Sequence, residues 1–548
     1  MRIALCQLNP TVGDLAGNRR LIEEAAAKAA SERADLLVAP ELAITGYPPM
    51  DLLERDGFVR DQLRELETLA EASRDVPIVV GAVLPTDEST RGHWLNAAVL
   101  LSAGQRVAAR AKTHLPAYDV FDERRYFAAA RRRSPVPLGD GSTVLGLTVC
   151  EDTWVEPLGY AIDPVSELTH AGANLILNPS CSPWHAGKAL ERRGMIARLA
   201  ARHRVPIAFV NQVGGNDELI FDGGSFVADA AGRVHAVQPL FDSSFAIVDL
   251  PATEAGQRPD EVDEPDRVAQ LEAGLVLGIR DYFGKQGLPP GAVVGLSGGI
   301  DSAVTAHLAA LALGPDKVLG LAMPSRFSSE HSVEDALALG ERLGIETRRV
   351  DIDAIFESYL EVFRKLFGTR DDYGLAQQNI QSRIRGALLM AVSNAGGRLV
   401  LATGNKSELS VGYCTLYGDT VGGLAVLGDV YKRDVYALAR QANVGGERIP
   451  QRSIDKPPSA ELAPGQLDSD DLPDYDLLDA ILEQAIEGGL GADAIEPPPG
   501  AVREVVEHVV TRLDRNEYKR RQTPLVLRTS TKAFGTGRRL PIVNRYQS

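Results

Sequence analysis

The sequence holds little cysteine, no long apolar run and a shortage of positive charge. Four cysteines, Cys6, Cys150, Cys181 and Cys414, are scattered through 548 residues without a CxxC pair. That excludes a disulfide framework and a Cys-based zinc site, and fits a reduced cytoplasm. No apolar stretch approaches the ~20 residues of a membrane helix, and the opening MRIALCQLNP lacks the apolar region and cleavage signal of a secretory leader. Lys and Arg number 58 against 74 Asp and Glu, a formal net charge of -16. Such a field repels nucleic acid and anionic membrane, so any phosphate site must be local. His114, His170 and His185 share no metal-ligand spacing.

What is present is an ordinary globular composition, 44% hydrophobic and 24% charged. Single cores stop growing near roughly 250 to 300 residues, so the length implies two domains. Apolar, β-rich runs at 2–8, 35–40, 76–84, 143–150, 173–180 and 205–212 alternate with helical patterns at 17–33, 58–74 and 187–203, an α/β layout. Short strands with Gly and Asp turns follow to about residue 250. Residues 251–268, acidic and proline-rich, read as an exposed connection. The expected division is therefore 1–255, a linker at 256–268, and 269–548. The second part opens another α/β series: a helix at about 269–286, the strand AVVGL, helices at 329–344 and 375–395, and the strand RLVLAT. This predicts a doubly wound parallel sheet. Segment 449–474 is too long and proline-rich for a simple turn, and is expected to be a lid or a linker.

Directly after AVVGL comes SGGIDS, Ser297 to Ser302, and then the amphipathic AVTAHLAALAL. A glycine loop between strand and helix lets backbone N–H groups and the helix N-terminus converge on phosphate. Read alone, the same six residues fit a plain glycine turn. The loop lacks the GK[ST] ending of a Walker A motif, so chemistry other than γ-phosphate transfer is implied. Asp301 would set a carboxylate beside the phosphates, where Mg2+ with oxygen ligands neutralises charge.

SGGIDS resembles the loop of the ATP-pyrophosphatase superfamily, whose members adenylate a carboxylate or carbonyl. Together with QNIQSRIR, LATGNKSELSVGYCTLYGD, DVYKRDVYALA, PPSAEL, LPDYDLLD and YKRRQTP, it makes most of 291–524 resemble the NAD synthetases. The resemblance implies an adenine nucleotide α-hydrolase-like sheet. It implies that Gly295, Leu296, Ser297, Gly298, Gly299, Ile300, Asp301, Ser302 and Thr403 bind ATP as co-substrate, and that Asp301 and Glu408 hold Mg2+. It further implies that Asn379, Glu408 and Lys519 contact deamido-NAD(+). Taken singly, Glu408 and Asp419 read equally as solvated loop carboxylates, and Lys519 and Arg520 as a solvated basic face.

In the first domain APELAITGYPPMDLL, AKTHLPAYDVFDERRYF and GLTVCEDTW each put a reactive residue just past a strand. Cys150 alone reads as a small buried hydrophobe, the usual fate of free cysteine. With Glu41 and Lys112 it resembles the Glu-Lys-Cys triad of the nitrilase superfamily, in the flanking sequence of glutaminase domains joined to NAD synthetases. The match runs through most of 1–250 and implies an α-β-β-α sandwich. Glu123 is similar to the second glutamate of such sites; alone it reads as a surface charge beside two arginines. The family's pattern puts Tyr118, Ser182 and Lys188 at the glutamine, although lysine at 188 cannot grip a carboxylate in the bidentate way of arginine. Cys6 and Cys181 read as packing residues. The resemblance implies ammonia passed from the first domain to the second and a homo-oligomer. Two other readings remain at this stage: the same two domains amidating or thiolating another acceptor, and a noncatalytic sensor of nucleotide and glutamine.

Overall fold

The computed structural model describes residues 1–55, 57–86, 94–251, 255–289 and 291–546. Residues 252–254 of the proline-rich connection fall outside this set. The chain divides into two compact units, Met1–Glu264 and Pro265–Ser548.

The apolar runs of the first unit become strands β1 (Arg2–Gln7), β2 (Leu36–Val38), β3 (Ile78–Pro85), β4 (Trp94–Ser102), β5 (Gln105–Ala111), β6 (Val136–Leu138), β7 (Thr143–Leu147), β8 (Leu175–Ser180), β9 (Ile207–Asn211), β10 (Val213–Asn216), β11 (Leu219–Asp222), β12 (Phe226–Ala228), β13 (Val234–His235) and β14 (Ser244–Asp249). Two six-stranded sheets result, ordered β14-β1-β2-β3-β4-β5 and β13-β12-β9-β8-β7-β6, with β10 and β11 as a separate hairpin. Side chains alternate between the two faces of a strand, and β1 shows the consequence. Ile3 and Leu5 point into a shared core with Leu145, Leu177 and Val210 of the second sheet. Ala4 and Cys6 point the other way, onto Ile22 and Leu69 of helices Leu15–Ser31 and Phe58–Ala70. On the far face of the second sheet, Ile176 and Ile207 meet Leu168 and Ile196 of helices Pro164–His170 and Lys188–His203. The layers run α-β-β-α, as the resemblance implies.

In the second unit β15 (Gly291–Leu296), β16 (Val318–Ala322), β17 (Glu346–Arg349), β18 (Arg398–Ala402), β19 (Leu424–Ala425) and β20 (Leu525–Val526) form one sheet. Its order is β17-β16-β15-β18-β19-β20, and every neighbouring pair is parallel. Ala292, Val293 and Val294 are buried in succession, the mark of a strand covered on both faces. The chain leaves β15 toward β16 on one side and returns to β18 on the other. The loops after β15 and β18 therefore part at their carboxyl ends and leave a crevice, the usual ligand site of open α/β sheets.

Predicted helices at 269–286, 329–344 and 375–395 correspond to Arg267–Gln286, Glu330–Leu343 and Leu375–Gly396. Segment 449–474 carries the short helix Gln451–Asp455 and a 3-10 turn, Asp468–Asp470. Among the described residues no helix is long and apolar enough to cross a membrane.

Candidate functional site

In the first unit three loops leave the strand ends at one place. Lys112 follows β5 directly, Glu41 lies just past β2, and Cys150 lies just past β7 as the first residue of the 3-10 turn Cys150–Thr153. The Lys112 ammonium is 2.8 Å from Glu41 Oε1 and 2.8 Å from Glu123 Oε1. Asn96 Nδ2 donates to Glu41 Oε1 and the Cys181 N–H to Glu41 Oε2. Tyr47 donates to Glu123. Asp152 ties two loops together, accepting from the backbone N–H groups of Thr113 and His114 through one oxygen and of Val149 through the other. Glu41 can lie this close because β3 carries glycine opposite it. A Cβ on Gly81 would sit 2.1 Å from Leu42 N and 2.5 Å from Glu41 Cα.

Cys150 is 6% exposed and adopts a φ of +42°, a left-handed conformation that costs a side-chain-bearing residue energy and recurs at functional turns. Burial and then the Glu41 charge push its thiol well above the ordinary cysteine range, while Lys112 opposes them. The resting group is a neutral thiol with a carboxylate and an ammonium beside it. Burial disfavours the charged form of Lys112, yet Glu123 and Glu41 hold it protonated, well above the usual lysine value. Glu123 is buried rather than a surface charge, because the neighbouring arginines turn away and its carboxyl turns in. Burial, against Lys112 and with Glu41, raises it from 4.5 to about 7.

That shift has a stability consequence. The folded chain favours protonated Glu123, so the stability it contributes is complete below pH 4.5 and fades as the pH rises through about 7. Glu123→Gln cannot ionise and should gain on the wild type across that interval, by roughly 3 kcal/mol at most. Thermal unfolding at a series of pH values checks it. A melting-temperature difference independent of pH would place the shared proton elsewhere in the cluster.

Of the three residues expected at the glutamine, Tyr118 and Ser182 lie one step from this group. Tyr118 donates to Glu151, the neighbour of Cys150, as does Tyr160. Ser182 follows Cys181, and its N–H donates to Asn211. Lys188 Nζ sits 3.8 Å from the centre of the Trp154 ring and 3.1 Å from Glu191. Tyr118, Arg124 and Tyr160 line a cleft of about 290 Å3. Cys181 is fully buried, as a packing residue should be, but its N–H also orients Glu41. His114 has its partner, Ile162 O, and stacks on Tyr160.

The second unit holds a cavity of about 500 Å3 lined by Gly295, Leu296, Ser297, Gly299, Ile300, Asp301 and Ser302 from the loop after β15. Thr403, just past β18, and Asn379, Glu408 and Lys519 line it too. Gly298 does not; it turns the chain at φ +73°, where a Cβ would lie 2.2 Å from Ser332 O. The loop holds its own shape: Gly299 N–H donates to Ser297 Oγ, and Ser302 Oγ to Gly299 O. Asn379 Oδ1 accepts from Thr415, and Lys519 Nζ donates to the carbonyls of Gly412 and Cys414. Asp419 stays exposed, whereas Arg520 is not solvated. Asp419 accepts from Thr415 N–H and Ser382 Oγ, and Arg520 is buried against Glu517.

Asp301 and Glu408 meet over a third residue. Lys432 Nζ is 2.6 Å from Asp301 Oδ2 and 3.1 Å from Glu408 Oε1. Burial, against Lys432 and with Asp301, pushes Glu408 from 4.5 to about 8. Asp468 lines the same cavity with one buried oxygen that has no hydrogen-bond partner. Negative charge exceeds positive here, as a cation site requires. Among the described residues no group of three or more His, Cys, Asp or Glu could hold a metal ion. Two convergent carboxylates suit an ion like Mg2+, which takes its remaining ligands from water and phosphate.

Sequence reading passed over Lys432, though it lies in DVYKRDVYALA, one of the stretches carrying the resemblance. It also passed over Asp152, Asn96 and Lys456, the last of which lines the cavity and donates to Ser332 Oγ.

Known proteins share both halves. The carbon-nitrogen hydrolase family matches residues 2–260 and the NAD synthase family residues 272–523. A glutamine-dependent NAD(+) synthetase of Synechocystis sp. is 44% identical over 557 residues, 99% of this chain and 99% of that protein. One from Thermotoga maritima is 40% identical over 100% of this chain and 99% of its own length. Among solved structures, the glutamine-dependent NAD+ synthetase of Acinetobacter baumannii, in complex with ADP, is 38% identical at a TM-score of 0.77 and covers 99% of this chain and 98% of its own. Likeness that runs end to end, through a thiol-bearing sandwich and then a phosphate-loop sheet, makes this chain a member of the glutamine-dependent NAD(+) synthetase family.

Proposed function

We propose that this chain makes NAD(+) by amidating deamido-NAD(+) at the expense of ATP, with nitrogen from L-glutamine, and releases AMP, pyrophosphate and glutamate. The observation that carries the reading is the buried contact of Lys112 with Glu41 beside Cys150, in one chain with the phosphate-loop cavity.

Glu41 takes the thiol proton as the Cys150 sulfur attacks the side-chain amide carbon of glutamine. Lys112 stabilises the oxyanion that forms. Return of the proton to nitrogen releases ammonia and leaves a thioester, which water opens to glutamate and the thiol. Tyr118, Ser182 and Lys188 hold the amino-acid end of the substrate.

In the second unit Ser297 to Ser302, with Gly295, Leu296 and Thr403, hold ATP, the loop and helix N-terminus facing its phosphates. Asn379, Glu408 and Lys519 hold deamido-NAD(+), whose carboxylate attacks the α-phosphorus and expels pyrophosphate. A free carboxylate would have to lose oxide to accept ammonia; the mixed anhydride loses AMP instead. Asp301 and Glu408 would hold Mg2+, which when bound neutralises charge on the phosphates. The free thiols support work in a reducing cytoplasm. Ile355, Val362 and Leu366, exposed along helix Asp353–Phe367, support a homo-oligomer.

Incubation with amide-15N glutamine, ATP, Mg2+ and deamido-NAD(+) should put label in the nicotinamide carboxamide. Label in another acid supplied in competition, with none in NAD(+), would replace the acceptor named here.

A further inference from the structure

Asn96 stands on β4, on the face of Ala98 and Leu100, which pack with Leu147 and Cys150 in the core between the two sheets. Aliphatic residues are the rule at such positions, and a fully buried amide is costly unless both of its ends are bonded. Only one is. Nδ2 donates to Glu41 Oε1 at 2.6 Å, while Oδ1 has no hydrogen-bond partner among the described residues. Leucine would fill nearly the same volume without stranding an acceptor, so the bond to Glu41 is what the asparagine supplies. Its main-chain carbonyl accepts from the Lys112 N–H at 2.7 Å, which ties both members of the buried ion pair to one residue.

A carboxylate offers two lone pairs on each oxygen. On Glu41, Oε1 accepts from the Lys112 ammonium and from Asn96, and among the described contacts Oε2 accepts from the Cys181 N–H alone. Oε1 is full, and Oε2 keeps one place open. We propose that Asn96 is a positioning residue of the glutaminase step: by filling Oε1 it leaves Oε2 as the oxygen that takes the Cys150 proton. The S–H bond breaks, its electron pair stays on sulfur for the attack, and the proton bonds to Oε2. Asn96 acts through Glu41, and the proposal rests on the reading of Glu41 as the base.

A donor to the ionised carboxylate also favours that form over the protonated one. Without it, Glu41 is more readily protonated, and so disabled as a base, when the pH falls. Tyr47, Lys112, Glu123, Cys150 and Cys181 are the titratable groups that interact with Glu41, and all of them remain when residue 96 is changed.

Glutamine hydrolysis by the full-length protein, followed as glutamate release with ATP, Mg2+ and deamido-NAD(+) present, tests the assignment. Asn96→Leu should lower kcat at least ~30-fold with KM for glutamine within about threefold of wild type. The acid limb of its kcat/KM profile should move to higher pH by about half a unit or more. Wild-type kcat, or a lowered kcat with an unmoved acid limb, would overturn the proposal. Should Asn96→Leu fail to fold, Asn96→Asp, which keeps the shape, decides. Only its protonated form can donate to Glu41, so its activity should fall with rising pH across a range where wild type holds steady; a profile parallel to wild type would overturn the proposal as well. Hydrolysis that survives Glu41→Gln would instead overturn the reading of Glu41 as the base.

Discussion

Cys150→Ala is expected to lower glutamine-driven NAD(+) synthesis by at least ~10³-fold while leaving synthesis from ammonium chloride within about twofold of wild type. The size of the first effect follows from the environment of the sulfur. Without the sulfur no nucleophile is held beside Glu41 and Lys112, the thioester cannot form, and the positioned carboxylate and ammonium have nothing to act on. The second effect follows from where the loss occurs. Residue 150 belongs to the unit Met1–Glu264, whereas the loop Ser297 to Ser302 and the cavity it lines are built wholly from Pro265–Ser548. Removing one sulfur from a tightly packed turn costs on the order of 1 kcal/mol of stability, too little to unfold a domain. Parallel assays with the two nitrogen sources decide it. Loss of both activities in a folded variant would refute the division of labour.

Gly298→Ala should do the opposite and cripple both nitrogen sources alike, by ~100-fold or more, the equivalent of ~2.7 kcal/mol in transition-state energy. The added methyl carbon would lie 2.2 Å from the Ser332 carbonyl oxygen. No rotamer change can relieve that overlap, since the obstacle is backbone of the helix Glu330–Leu343. The φ of +73° adds a left-handed penalty of ~1–2 kcal/mol for a residue with a side chain. The loop must shift, and with it the residues Ser297 to Ser302 proposed to hold ATP. Glutamine hydrolysis measured in the absence of nucleotide should survive, which distinguishes a local lesion from general unfolding. Wild-type ammonium-driven turnover in Gly298→Ala would show that the loop does not hold ATP.

The architecture was largely legible because its signals are local. Strands β15 and β18 are short apolar runs bounded by polar turns, and helix limits such as Glu330–Leu343 follow from Ser329, whose hydroxyl caps Ser332 N–H. Glu41, Lys112 and Cys150 each follow such a run too, but it was the resemblance to a Glu-Lys-Cys triad that singled them out, since Cys150 alone reads as a buried hydrophobe. Long-range partners were not legible. Lys432 reaches Asp301 across 131 residues of sequence, and nothing in its neighbourhood distinguishes it from Arg433, which pairs at the surface with Glu483. Arg520 read as solvated because sequence does not reveal which charged groups fold into the interior. Glu123 resembled the second glutamate of such sites, but its arginine neighbours taken alone made it a surface charge, and only the fold shows its side chain turned inward to Lys112.

Position 81 lies in the middle of an apolar strand and would look like an easy site for alanine in any scheme to stiffen the sheet. The approach of Glu41 forbids it. A saturation library across β3 should therefore return nearly any aliphatic residue at its other inward positions and glycine alone here, and efforts to redesign this enzyme for new nitrogen donors must treat that codon as fixed.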